Sequence, residues 1–353
     1  MAEKVNEPVT AYKGFKRDMT CKGYQYEEGR TYATQTADVC NTGFHACEYP
    51  LDVFGYYPPG TSVYHEVQQS GEISHDANNS KQASTEIKIG AELSIRGLVK
   101  AAINYTKSRT TAKRVSGNRG ASVSGYQGAS TSGNKGASVS GNRGASTSGD
   151  KGASTSGNRG ASTSGNLGAS VSGDMGASVS GDQGASTSGN LGASVSGYQG
   201  ASVSGDQGAS TSGNLGASVS GDMGASVSGD MGASVSGNRG ASVSGDQGAS
   251  TSGNKGASVS GNRGASTSGN LGASVSRGKS AVGENGIAYA RGEDAASVKV
   301  KGGIGSILVL VTENDGDYGA KSWKAEYVDG ERIKADTWYK LKNGKFVEAG
   351  EDD

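Results

Sequence analysis

The chain has 353 residues with 34 basic and 34 acidic side chains, so its formal charge of zero gives no reason to expect nucleic acid or a membrane surface as partner. Its 61 glycines, against four phenylalanines, two tryptophans and 33% hydrophobic residues, exclude a single ordinary aromatic-rich core. What remains is either a disordered low-complexity tract or a regular array with a thin interior.

In chain order, residues 1–85 come first and hold eight of the fifteen tyrosines, which predicts a small globular N-terminal domain, α+β or all-β. Its opening, MAEKVNEPVT, lacks the apolar stretch of a signal peptide, and no run approaches the ~18 apolar residues of a membrane span. Cys21, Cys40 and Cys47 are an odd number in a long chain, which points to a reducing cytoplasm rather than a disulfide scaffold. Together with His45 they raise a zinc site, and Cys47 with His45 raises a nucleophile pair. The spacing fits no standard zinc pattern and small buried cysteines are common, so a structural role is expected. No catalytic, metal or cofactor residue is assigned.

The segments richest in information are Tyr12-Lys13-Gly14-Phe15, Gly23-Tyr24-Gln25-Tyr26, Cys40-Asn41-Thr42-Gly43-Phe44-His45-Ala46-Cys47 and Pro50-Leu51-Asp52-Val53-Phe54. They resemble an uncharacterised family of domains seen in phage and bacterial genomes, often ahead of Gly-Ala-Ser repeats. The resemblance implies a phage or prophage origin and no particular reaction. The location it suggests is the cytoplasm of a bacterial host cell or the phage particle. Residues 86–115 alternate at Ile87, Ile89, Leu93 and Ile95, which predicts extended chain capping the first coil of a repeat region.

From Ser116 to Val275 the pattern Ser-Gly-Asn/Asp/Tyr-x-Gly-Ala-Ser-Val/Thr recurs twenty times without an insertion. Two glycines and several serine or β-branched residues per octad oppose a helix. Each octad reads as one short strand, Gly-Ala-Ser-Val/Thr-Ser, and one turn, Gly-Asn/Asp-x-Gly. The fold class is therefore all-β, a parallel β-solenoid of octapeptide repeats. The four-residue turn suits a chain reversal, which predicts two octads per flattened coil and about ten coils, or about 48 Å of stack at the ~4.8 Å strand spacing. Ordering eight residues costs on the order of 10 kcal/mol, whereas one Ala and one Val return a few, so no octad stands alone and folding must be collective. The repeats are loosely similar to the head repeats of trimeric bacterial adhesins, although their period is eight rather than seven.

Alternate strand side chains share a face. The expectation is that Ala and Val/Thr face inward and serine outward. The reverse arrangement would expose Val/Thr rows resembling the threonine arrays of ice-binding solenoids. The third octad position is Asn eleven times, Asp seven times and Tyr twice. A calcium turn needs several converging oxygens, and a site that accepts Asn or Tyr is not demanding charge. That position is expected to be a left-handed or tight turn position.

The fourth position varies most and is read as the outward tip. Basic tips Arg119, Lys135, Arg143, Lys151 and Arg159 form a first band, and Leu167, Met175, Leu191, Leu215, Met223 and Met231 a second, apolar one. The apolar band is the candidate partner-binding set. No aromatics interleave with the basic band, so nucleic acid is not the expected partner.

After Val275 the octad decays: residues 276–311 read as degenerate coils, with Ile307-Leu308-Val309-Leu310-Val311 a buried strand. Asp329-Gly330 and Asn343-Gly344 predict two-residue hairpin turns, making residues 312–353 a small β cap with Trp323 and Trp338. The functional expectation is a non-catalytic, phage-associated structural or protein-binding module without a cofactor. A homo-oligomer is open, and a phage-encoded inhibitor of a host defence or host enzyme, or an ice- or surface-binding array, are the alternatives.

Overall fold

The computed structural model describes residues 3–39, 41–76, 79–109, 113–293, 297–314 and 318–350. The chain divides into two compact units, Met1–Val195 and Ser196–Asp353.

The first unit opens with an antiparallel β domain. Strand β1 (Glu3–Lys16) is followed by the short β2 (Thr20–Cys21), β3 (Tyr24–Gln25) and β4 (Thr31–Ala33), then by β5 (Phe44–Cys47), β6 (Ser62–His75) and β7 (Lys81–Glu92). β1 pairs along its length with β6, β6 with β7, β7 with β4 and β5, and β5 returns to β1 at Tyr12–Cys47. The pairings of β1, β6, β7 and β5 close a ring, and β4 is attached to it through β7 alone. Ala11, Phe15, Tyr26, Ala46, Val67, Ile87 and Ile89 fill its interior.

Of residues 86–115, only the last three, Lys113–Val115, extend the first coil, pairing in parallel with Ala129–Thr131. The first part of the segment belongs to β7, and Ile95–Arg109 is a helix, α1. Ser94 caps it, accepting the Gly97 N–H on its Oγ at 3.2 Å. Ile95, Leu98, Val99, Ala102, Ile103 and Thr106 recur at helical spacing, a 3.6-residue period that the short alternation before it obscures.

After α1 the chain becomes a solenoid. Ala129–Thr131 pairs in parallel with Ala145–Thr147, that strand with Ala161–Thr163, and so on to Ala193–Val195, always sixteen residues apart. The intervening octads make a second sheet from Ala121–Val123 to Ala185–Thr187 with the same spacing. Two octads per coil is therefore the observed geometry.

The interior corrects the expected facing. Both serines of each octad point inward and are almost fully buried, as at Ser146, Ser148, Ser154 and Ser156. The two sheets meet through them: Ser130 Oγ lies 2.8 Å from Ser138 Oγ, and Ser162 Oγ donates to Ser154 O at 2.6 Å. A hydroxymethyl group is small enough to let the sheets approach and can bond a carbonyl of the opposite sheet, which Val cannot. Val and Thr interchange freely because they face outward, as at Val123 and Val139. On the sheet that α1 covers, Ala145, Ala161, Ala177 and Ala193 are buried beneath Leu98, Val99 and Ala102. On the other sheet the equivalent alanines, such as Ala137 and Ala153, are exposed.

The third residue lies in the tight turn, as one of the two expectations had it, but it is not left-handed. The left-handed residue is the fourth, variable one, with φ of 57° at Arg143 and 58° at Leu167. The third residue stacks instead. Asn118 Oδ1 accepts the Asn134 N–H at 3.0 Å, and Asn134 Oδ1 accepts that of Asp150 at 3.0 Å, one coil later each time. Asn and Asp both supply that oxygen, so their exchange needs no metal ion. Glycine follows from the same stacking: a Cβ on Gly136 would lie 2.7 Å from Ser132 Cβ and 2.8 Å from Gly120 O.

The second unit contains coils of the same kind, with Ala201–Val203, Ala217–Ser220, Ala233–Ser236 and Ala249–Ser252 in one sheet and Ala209–Thr211, Ala225–Val227 and Ala241–Ser244 in the other. Parallel pairing persists past the octads: Ala273 pairs with Ile287 and Ile287 with Ile307. There the interior changes to Ala288, Ala290, Val300, Leu308 and Leu310. Ala320–Tyr327 then lies antiparallel on Ile307–Glu313, ending the parallel ladder. Asn343 and Gly344, with φ of 50° and 70°, make the hairpin between Tyr339–Lys342 and Lys345–Glu348. Asp329-Gly330 is not a hairpin. Asp329 Oδ1 accepts the N–H groups of Glu331, Arg332 and Ile333 and so folds an irregular loop. Trp323 is exposed on the outer strand, and Trp338 carries Lys301 Nζ 4.8 Å from its ring centroid. Among the described residues no helix is long and apolar enough to cross a membrane.

Candidate functional site

The sixteen-residue coil sorts the tips onto two edges. In the first unit Arg119, Lys135, Lys151 and Leu167 follow one another on one edge, and Arg143, Arg159, Met175 and Leu191 on the other. In the second unit Leu215 and Met231 share an edge, while Met223 lies on the opposite one with Arg239 and Lys255. Neither band read along the chain is thus a single stripe in space.

One of these edges is already occupied. The 3₁₀ turn Pro50–Gly55 leaves the ring after β5 and packs on the edge of Arg143, Arg159 and Met175. Asp52 is buried there. Its carboxylate accepts from Ser80 Oγ at 2.7 Å and lies 3.8 Å from Arg143 Nη2 and 3.9 Å from Arg159 Nε. Tyr49 Oη donates to Arg159 O at 2.8 Å, and Met175 Sδ reaches Gly55. Two arginines one coil apart therefore neutralise one buried carboxylate. Leu167 is exposed, whereas Leu191 is half-buried. In the second unit Leu215, Met223 and Met231 are all exposed.

A second arrangement lies within the N-terminal domain, where sequence reading assigned nothing. A cavity of about 720 Å³ opens between β1, the β2–β3 hairpin, β5 and the turn at Val53–Tyr57. Its amines are Lys13, Lys16, Lys22 and Lys81, and among the described residues no carboxylate lines it. Lys13 is buried, donates to His45 O at 2.7 Å, and lies 5.4 Å and 5.6 Å from the Phe15 and Tyr26 ring centroids. Burial holds its amine below the usual lysine range. His45 is lowered too, first by burial and then by the charges of Lys13, Lys22 and Lys81. Lys81 lies 3.8 Å from Asp76 and 5.3 Å from the Tyr56 ring centroid. Tyr24, Tyr26 and Tyr32 form an edge-to-face cluster, with Tyr24 and Tyr56 exposed.

Among the described residues, Cys21, Cys47 and His45 do not assemble the chemistry weighed for the cysteines. Cys47 is pushed up to about 12, by burial first and the Asp52 charge second, so it is held as a thiol and is a poor nucleophile. Cys21 accepts the Tyr57 hydroxyl at 2.8 Å. Cys40 lies outside the described residues, and among those described no group of three or more His, Cys, Asp or Glu is placed to hold a metal ion. Lys13, Lys16 and Lys22 lie between Tyr12 and Tyr24 in the sequence, a clustering with no period, and only the meeting of β1 and β5 makes a concavity of them.

No curated protein and no solved structure matches the chain. One family does match, over residues 9–101, which takes in the strand ring and the first half of α1 and leaves the octads outside; its description is Domain of unknown function (DUF7666).

Proposed function

We propose that the chain is a non-catalytic, phage-associated binding module in which stacked octads present flat faces to a protein partner. One observation carries this reading: in the first unit a solenoid face already holds an amphipathic helix, with Leu98, Val99 and Ala102 lying on Ala161, Ala177 and Ala193. A flat sheet of small side chains takes such a helix without reshaping. In the second unit the outward rows of Val203, Val219 and Val235 have the same octad chemistry and are about 40% exposed. The partner proposed is a protein offering an amphipathic helix, in the host cytoplasm or the phage particle.

The test is affinity capture from host lysate with the wild-type chain, with Val219→Lys/Val235→Lys, and with the tip control Gln247→Lys. The reading expects a defined partner retained by the control and lost by the double variant. Capture that ignores the face, or no partner at all, sinks it. The exposed Val/Thr rows also favour a second reading, a surface- or ice-binding array, since they repeat at the ~4.8 Å strand spacing. Thermal hysteresis of the purified chain separates the two, because a helix-docking face predicts none.

A further inference from the structure

We infer that the cavity of the N-terminal domain is a binding site for a nucleotide, a planar base carrying phosphate. Lys16 and Lys22 bring exposed positive charge to one concavity, with Lys13 at its depth and Lys81, 3.8 Å from Asp76, at its side, and among the described residues no carboxylate lines it. A lysine ammonium is a compact point charge suited to phosphate oxygens, and several of them match a ligand carrying more than one negative charge. The volume of about 720 Å³ lies within the range of small-molecule sites and is more than one inorganic anion fills.

The cavity is also aromatic. Tyr24 and Tyr56, both lining the cavity, expose 52% and 47% of their surface. Each is backed: Tyr24 by Tyr26 and Tyr32 at 5.0 Å and 5.8 Å between ring centroids, Tyr56 by the Lys81 amine. An exposed ring held by its neighbours is a stacking platform, and a base stacked on tyrosine gains about 1–3 kcal/mol. Amines and rings line one opening, so the ligand they fit carries an anionic end and a flat end together. Lys13 is the innermost amine, held by His45 O, while Lys16 and Lys22 are exposed at the rim.

Isothermal titration of the full chain with ATP, AMP, adenosine and inorganic phosphate tests this. A nucleotide is expected to bind saturably, with adenosine and phosphate each at least about tenfold weaker and affinity falling as salt rises. Lys16→Ala/Lys22→Ala is expected to weaken nucleotide binding by at least about tenfold, and Tyr24→Ala by a similar factor, with circular dichroism and melting temperature unchanged. All three side chains are at least partly exposed and hold no buried core. No saturable binding of either nucleotide to the folded chain overturns the inference. Equal affinity for phosphate and nucleotide overturns it, as does a double lysine variant that binds like the wild type.

Discussion

Within the second unit, the octad coils between Ala201 and Val275 and the degenerate coils beyond them are built on one parallel ladder yet held together differently. The octad coils enclose serine, as at Ser218, Ser226 and Ser234, each almost fully buried. The later coils enclose Ala288, Val300, Leu308 and Leu310, closed over by Tyr339 and Leu341. Serine burial yields little apolar transfer energy, so the octads rest on backbone pairing, the Asn/Asp ladder and close approach at glycine. The later coils gain from ordinary hydrophobic burial. The contrast teaches that a ladder tolerates a polar interior only when every coil repeats its neighbour, and that such a stack ends where a conventional core takes over.

The sharpest way to break this comparison is at glycine. A Cβ on Gly232 would sit 2.8 Å from Ser228 Cβ and 2.9 Å from Gly216 O, where backbone cannot yield. Gly232→Ala is expected to destabilise the octads by about 3 kcal/mol or more, read as a lowered chemical-denaturation midpoint. Next comes Leu310→Ala, a cavity in the apolar coils, expected to cost about 2–5 kcal/mol by the same measurement. Ser226→Ala removes a hydroxyl that donates to Ser218 O at 2.6 Å, and about 1 kcal/mol of loss is expected. The smallest effect belongs to Ser220→Ala. The Ser220 hydroxyl is buried and, among the described residues, has no hydrogen-bond partner, so its removal is expected to be neutral or slightly stabilising. If Ser220→Ala cost as much as Ser226→Ala, the bond from Ser226 to Ser218 O would not be what sets the two serines apart.

Much of this was legible in the sequence. The octad period, the strand-and-turn division and two octads per coil come from glycine spacing and turn length, and the Asn343-Gly344 hairpin from its dipeptide. The direction of the faces was not, because Ala-Ser-Val-Ser alternates equally well either way. Hydrophobicity favours Val inside, and only the small gap between the sheets selects Ser. The left-handed residue was missed for a related reason. Asn and Asp are usual at positive φ, but here they are engaged in the ladder. The tips take that conformation, and all twenty are Arg, Lys, Gln, Leu or Met, without one β-branched residue. That omission was a readable sign. Helix α1 was hidden by the alternation of Ile87 and Ile89 before it. The cavity depended on Lys13 and His45 meeting across strands, which no local pattern announces.

The coil of two octads has a consequence for how such a gene can change length. Within residues 201–275, loss or gain of sixteen residues leaves every later tip on its own edge and every third-position side chain over a partner. Loss or gain of eight carries each downstream Leu, Met, Arg or Lys to the opposite side and reverses which sheet each strand joins. Recombination between neighbouring octads would thus alternate between harmless and disruptive steps, and copy number should drift in even increments.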